Sequence, residues 1–407
     1  MNTTVVVEIG NPWLKLVVLR GAMGTTYVKA VAAMSFANMP EDAASACIAD
    51  FLREQKIKKP ENLIVSFTRN AVTLRNLRIP SANPSEIDDM IKLHVGRQVP
   101  YAKEEIVNGH RIIGKDTMGY SKVMLAIVHR ESIRKIFRIL EKAGLYTDRM
   151  ELGSDGVLAW LGKSSKSVDP KSNDAFIILD VDAHFTDFIV STHENILFSR
   201  VIAQGTESLA DETKWPKFLG EMKQTLVISQ GEEVLQKPTK FYLTGCGAAL
   251  RKLASTIEIE FNLPVDVVDS FSNMPLAKDV VKKPAEVLTQ VSFSPLLGLG
   301  LDTARRKINF VLPEAQIRKN LRERSRDTIF FGSCLMYLVL IACGVYMEKM
   351  HNRQAYLDLI HGRFESISKV SEDLNEKVER IKMIHSKLNT KSLAINYLWE
   401  ISKLLPP

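Results

Sequence analysis

Residues 328–347 read TIFFGSCLMYLVLIACGVYM, twenty positions without Asp, Glu, Lys, Arg, His, Asn, Gln or Pro. Nothing else in the chain restricts its fold as much. A helix of that length spans roughly 30 Å, one hydrocarbon core. A helix buried in a soluble domain normally keeps a polar edge, and this stretch has none. One transmembrane helix is therefore predicted over 328–347. Tyr337 and the glycines 332 and 344 are ordinary in such helices.

Charge gives the span a direction. The 407-residue chain carries a net charge of +7. From Arg305 to Asp327 there are eight bases (Arg305, Arg306, Lys307, Arg318, Lys319, Arg322, Arg324, Arg326) and three acids (Glu314, Glu323, Asp327), so 8 − 3 = +5, and 7 − 5 = +2 is left for everything else. Basicity this local argues against a nucleic-acid-binding surface and for a membrane edge. The far side opens more weakly, with Glu348, Lys349, His351 and Arg353. The positive-inside rule then puts residues 1–327 in the cytoplasm and 348–407 beyond the membrane, with the arginines against anionic lipid headgroups. Four cysteines without a CxxC pair suit a reducing compartment, and the opening MNTTVVVEIG carries no cleavable signal pattern.

Beyond the span, residues 348–389 carry a heptad pattern. One seam runs through Leu357, Phe364, Ser371, Val378 and His385, the other through Ile360, Ile367, Leu374, Ile381 and Leu388. Eight of these ten are apolar and the positions between are mostly polar, which predicts a coiled-coil helix. Thr390 is then expected to cap a separate amphipathic helix, 390–407, the start of a further region.

Residues 1–304 echo themselves. VVVEIG, LKLVVLRG and TYVKAVAAMSF predict three strands, followed by a helix near 41–55 and the strand NLIVSF. From Ala175, AFIILDVDA, FTDFIVSTH and NILFSRVIA predict three more, then a helix near 205–231 and the strand KFYLTG. Each half, about 1–163 and 174–304, reads β-β-β-α-β and is α/β in class. Each opens with an apolar strand ending in acids at a hairpin: Glu8 and Gly10, then Asp180 and Asp182. A Gly-x-Gly turn, Gly245 and Gly247, follows KFYLTG, a helix is expected from Ala248, and SPLLGLGLDTA reads as a last helix. Hairpins with glycine let backbone N–H groups face phosphate oxygens, and strand-end carboxylates can hold hydrated Mg²⁺. Together these parts suggest a duplicated, ribonuclease H-like core of the actin-like ATPase type.

Three segments sharpen this into a resemblance. VVEIGNPWLKLVVLR resembles the opening hairpin of the PilM family, the actin-like proteins of type IV pilus assembly. Leu74 to Val107, with its Gln98-Val99-Pro100-Tyr101 turn, resembles that family's inserted subdomain, expected at about 78–145. YSKVMLAIVHRESIRKIFRILEKAGLYTDRMELGSDGVLAWL resembles the strand and helix that follow. The plan is also similar to GspL of type II secretion. Ile308-Asn309-Phe310-Val311-Leu312-Pro313 resembles the "INLLP" opening of PilN, the membrane partner, so the chain looks like a PilM–PilN fusion.

The resemblance implies an inner-membrane scaffold of a pilus or secretion system. It would join a cytoplasmic assembly ATPase and a platform protein to a PilO-like coiled-coil protein. It also implies that residues 305–327 hold a docking peptide. Alternation puts Ile308, Phe310 and Leu312 on one face, Asn309 at the edge and Pro313 at the stop, and the peptide would seat in cis or in trans. The alternative is an actin-like ATPase whose ATP state controls docking or polymerisation.

The candidate nucleotide residues are Glu8, Gly10, Lys15, Asp180, Asp182, Thr186, Gly245 and Gly247, with Mg²⁺ on Glu8 and Asp180. Departures from the family argue against turnover. Glu8 stands where an Asp is usual, Asn11-Pro12-Trp13 replaces small hydroxyl residues, and Ala183-His184 replaces a glycine turn. Pro12 also removes a backbone donor. No cofactor is required by this reading. ATP with Mg²⁺ is the ligand to test, and no catalytic residue or nucleic-acid partner is assigned.

Overall fold

The computed structural model describes residues 2–403 except 11, 23–24, 38, 98, 117, 148, 166–173, 232–236, 247–249, 285–288 and 302–307. The chain divides into two units, Met1–Lys319 and Asn320–Pro407.

In the first unit, the opening apolar runs form β1 (Asn2–Ile9), β2 (Trp13–Ala22) and β3 (Thr25–Ser35), followed by α1 (Glu41–Glu54) and β4 (Asn62–Phe67). The insert then supplies β5 (Thr73–Ile79), α2 (Pro84–His94), β6 (Ile106–Lys115) and β7 (Ser121–His129). The chain returns through α3 (Arg130–Lys142), β8 (Arg149–Leu152) and α4 (Gly153–Ser164).

The second half repeats the plan with β9 (Phe176–Val181), β10 (Thr186–Ser191), β11 (Ile196–Ile202), α5 (Thr206–Leu209), α6 (Trp215–Gly231) and β12 (Phe241–Gly245). It finishes with α7 (Leu250–Phe261), β13 (Val265–Val267), β14 (Leu276–Lys283) and α8 (Ser294–Leu301).

Two sheets carry the duplication. Their orders are β14-β3-β2-β1-β4-β8 and β11-β10-β9-β12-β13. In each, three antiparallel strands continue into a fourth parallel to the first. Alternation makes the first sheet apolar on both faces. Val5, Val7, Leu16 and Val18 pack with α1 and α3, whereas Val6, Val17 and Leu19 pack with α4 and α8. That second core also takes Ile178, Ile189 and Tyr242 from the other sheet, so one apolar layer joins the halves.

Three sequence expectations change. The inserted sheet, β5-β7-β6, opens at Thr73 rather than near 78. The helix α3 belongs to the first half, because Ile133, Ile136 and Ile139 are buried with α1 and not against α2. The helix expected over 205–231 is broken into α5, a 3-10 turn at Glu212–Lys214, and α6 with Pro216 in its first turn.

The last helix, α9, runs from Pro313 to Lys403. Pro313 begins it, as proline's fixed φ favours. Contrary to expectation, no separate helix begins at Thr390, for α9 continues through it. The local polar signal there was outweighed by helical residues on both sides. In the second unit, α9 holds the candidate span from Thr328, whose apolar window has a mean hydropathy of 2.2. Among the described residues this is the one helix long and apolar enough to cross a membrane. The heptad residues Leu357, Phe364, Ile367 and Leu374 lie exposed along it. Of the basic run, residues 305–307 and the side chains of 315–327 lie outside the described part of the structure.

Candidate functional site

The residues singled out for nucleotide chemistry meet where the hairpins of the two halves face each other. Glu8 on β1 and Lys15 on β2 are directly opposite in the antiparallel register. Asp180 is the last residue but one of β9, and Asp182 sits at the turn into β10. Lys15 lies 2.8 Å from Glu8 and 2.6 Å from Asp182, and its side chain is 1 % exposed. One ammonium therefore bridges a carboxylate of each half. Burial would push Lys15 down, but the Asp182 and Glu8 carboxylates outweigh it and hold it above its ordinary value. Burial pushes Glu8 up against the pull of Lys15 and of the Ser66 hydroxyl, which donates to it at 3.1 Å.

Asp180 takes another partner. The Ser292 hydroxyl donates to it at 2.6 Å, and the Ser292 N–H donates to Asp182 at 2.9 Å. Burial drives the Asp180 carboxyl up to about 8 despite the Ser292 bond, so it is largely protonated at neutral pH. Ser294, Thr244 and Ser270 extend this buried network. Sequence reasoning missed Ser66 and Ser292. The one local signal for Ser292 is the Ser-Phe-Ser run just before α8.

The other candidates are likewise turned inward. The Gly10 N–H donates to Trp13 O within its own hairpin. The Thr186 hydroxyl donates to Gln204 O at 2.7 Å. Gly245 has φ +98°, and a Cβ there would lie 2.0 Å from Val181 O, so its role is close strand packing. Gly247 lies outside the described residues. The cleft lined by Glu8, Trp13, Lys15 and Asp182 has about 10 Å³ of free space, room for about one water molecule. The side chains present do not fit Mg-ATP. Of the two expected metal ligands, Glu8 is engaged by the Lys15 ammonium and Asp180 by the Ser292 hydroxyl, and the cleft is too small for a triphosphate. Among the described residues, no group of three or more His, Cys, Asp or Glu side chains could hold a metal ion.

A second assembly forms at the edge of the six-stranded sheet. Residues 308–312 lie beside β8, with one antiparallel bridge between Asn309 and Glu151. The Phe310 N–H donates to Met150 O at 2.9 Å, and the Met150 N–H donates to Asn309 Oδ1 at 3.0 Å. The Asn309 amide thus completes a ladder that the backbone leaves after one step. Phe310 is fully buried, edge-on to Phe67 with centroids 5.5 Å apart. Ile308 presses on Gly109, where a Cβ would come within 2.3 Å of it. Strict alternation fails at Val311, which is as buried as Leu312. The segment is too short to act as a strand with one open face, and apolar residues close around it. Burying four such side chains contributes roughly 1.5–3 kcal/mol each before entropy. Arg130 pairs with Glu314 at 3.2 Å just beyond; the side chain of Pro313 is not described.

No family model and no curated protein sequence matches the chain. Solved structures do. The PilM-PilN type IV pilus biogenesis complex superposes with a TM-score of 0.59 at 20 % identity, over 73 % of this chain and 97 % of that one. The cytoplasmic domain of EpsL, an inner-membrane component of the Vibrio cholerae type II secretion system, matches at a TM-score of 0.41 and 12 % identity, covering 75 % of this chain and 97 % of that one. A Bacteroides thetaiotaomicron protein with an actin-like ATPase fold matches at 0.40 and 10 %, covering 65 % and 90 %. With its repeated sheet order and its inserted three-stranded sheet, the first unit has the actin-like fold shared with the PilM-PilN structure.

Proposed function

We propose that the protein is a single-pass inner-membrane scaffold of a type IV pilus or type II secretion apparatus. Its actin-like part lies in the cytoplasm and its coiled coil outside, and it joins an assembly ATPase and a platform protein to a PilO-like coiled-coil partner. The observation that carries this reading is one chain holding both the fold of the PilM-PilN pilus complex and a helix apolar enough to span a bilayer. The seat of residues 308–312 on β8 supports a second element of the proposal. This peptide is the docking strand that fastens the cytoplasmic body to the start of the membrane helix. A tether of this length gives an effective concentration of about mM, so modest intrinsic affinity suffices.

The scaffold works without turnover. The Lys15 bridge supports this, because it closes the cleft with a cation that cannot dissociate. Reporter fusions at residues 1 and 407 test the topology, and two reporters in one compartment would reject the scaffold. Thermal unfolding with Mg-ATP tests the rest. A ligand at 100 times its Kd adds about 2.7 kcal/mol; a stabilisation of that size would establish the nucleotide-regulated alternative instead.

A further inference from the structure

A roomier cavity, about 340 Å³, opens where β5 of the inserted sheet meets β11 of the second half. The Asn76 amide ties the two strands by donating to Leu197 O at 2.8 Å. Three arginines line the cavity: Arg69, Arg75 and Arg200. Arg69 is fixed in place. It donates to Ser199 Oγ and Ser199 O at 2.7 Å each and to Val72 O at 2.5 Å, and Ser199 passes a hydrogen bond to Asp187 at 2.6 Å. Arg75 and Arg200 make no ion pair or side-chain hydrogen bond among the described residues. Burial pushes the Arg69 guanidinium below its ordinary value; Asp187 opposes this and Arg75 adds to it. Arg69 and Arg75 thus set like charge beside like charge at the cavity, with the buried Asp187 carboxylate opposing them.

Leu74, Met124, Phe198 and Ile228 add apolar side chains to the lining. The volume is that of a small-ligand pocket, too large for an ordered water and too small for a folded partner. Guanidinium forks recognise tetrahedral or planar oxyanions by paired N–H donors, and two unsatisfied forks suit a dianion.

We propose that this groove binds a small phosphomonoester, its phosphate held by Arg75 and Arg200 against the fixed Arg69 and its apolar body resting on Phe198 and Ile228. The site is separate from the Lys15 cleft and from the docked peptide, and its occupant would bridge the insert to the second half.

Phenyl phosphate is the probe, titrated into the full chain in detergent micelles and followed by calorimetry against empty micelles. Saturable binding is expected, and Arg75→Ala and Arg200→Ala should each weaken it at least tenfold, or about 1.4 kcal/mol. Both side chains reach the surface, so the variants fold, as an unchanged melting midpoint without ligand will verify. Three results overturn the proposal: no saturable binding, a double variant that binds as the parent does, or phenol binding equally well. Benzoate binding more tightly than phenyl phosphate overturns the assignment to phosphate.

Discussion

Replacing Lys15 by Met removes the cation and keeps the volume. Glu8 and Asp182 then face each other with side chains only 3 % and 9 % exposed. At an effective dielectric of about 20, each 2.6–2.8 Å contact is worth roughly 6 kcal/mol before desolvation. Desolvation cancels most of that. Removing one partner of a buried pair nonetheless costs about 3–5 kcal/mol, because a charge is stranded. Spread over the 319 residues of the first unit, at roughly 2.1 cal/mol/K per residue, this lowers the melting midpoint by about 4–8 °C. The sign with pH follows. Lys15 pulls the Glu8 carboxyl toward ionisation against burial, so without it the folded Glu8 value rises further. The variant's deficit should then be small near pH 4 and grow toward pH 8. Thermal unfolding of the full chain in micelles at both pH values is the assay. The triple variant Glu8→Gln, Lys15→Met, Asp182→Asn strands no charge and should recover most of the loss. A Lys15→Met cost under 1 kcal/mol, or one equal at both pH values, would refute the reasoning.

Further outcomes are expected. Asp180→Asn keeps the Ser292 bond and removes a carboxyl whose folded value, about 8, lies far above its unfolded one. Wild-type stability from this group is complete below about pH 4 and is lost as pH rises toward 8, so the variant should equal the parent at pH 4 and melt higher at pH 8.5. Phe310→Ala, at a fully buried site against Phe67, should cost about 3–5 kcal/mol, read by denaturant titration. The double variant Asn309→Ala, Phe310→Ala should speed amide exchange at positions 310 and 150 while leaving membrane insertion unchanged; parental exchange rates would reject the docked peptide. Gly109→Val should also loosen the peptide, since Ile308 already occupies the space of its Cβ.

Reading the chain by period worked where the pattern is local. NLIVSF is β4 to the residue, and the three-strand openings of both halves lie where their apolar runs do. The acids at the hairpins were visible as acids. What they do was not. Lys15 reads as a candidate phosphate ligand, yet its partner Asp182 is 167 residues away. Ser292 lies 112 residues from Asp180. The Asn309 amide could be expected at an edge, but no pattern says that Met150 would be its donor.

By itself the sequence determined the strands of each half and the one stretch able to cross a bilayer. These follow from hydropathy period and length, which neighbours along the chain settle among themselves. Only the tertiary structure decided that the duplicated hairpins meet around an internal ammonium, that the peptide closes on β8, and that three arginines share one groove. Burial and charge pairing depend on groups brought together from distant parts of the chain, and a linear pattern holds no record of which solvent-facing lysine will be enclosed.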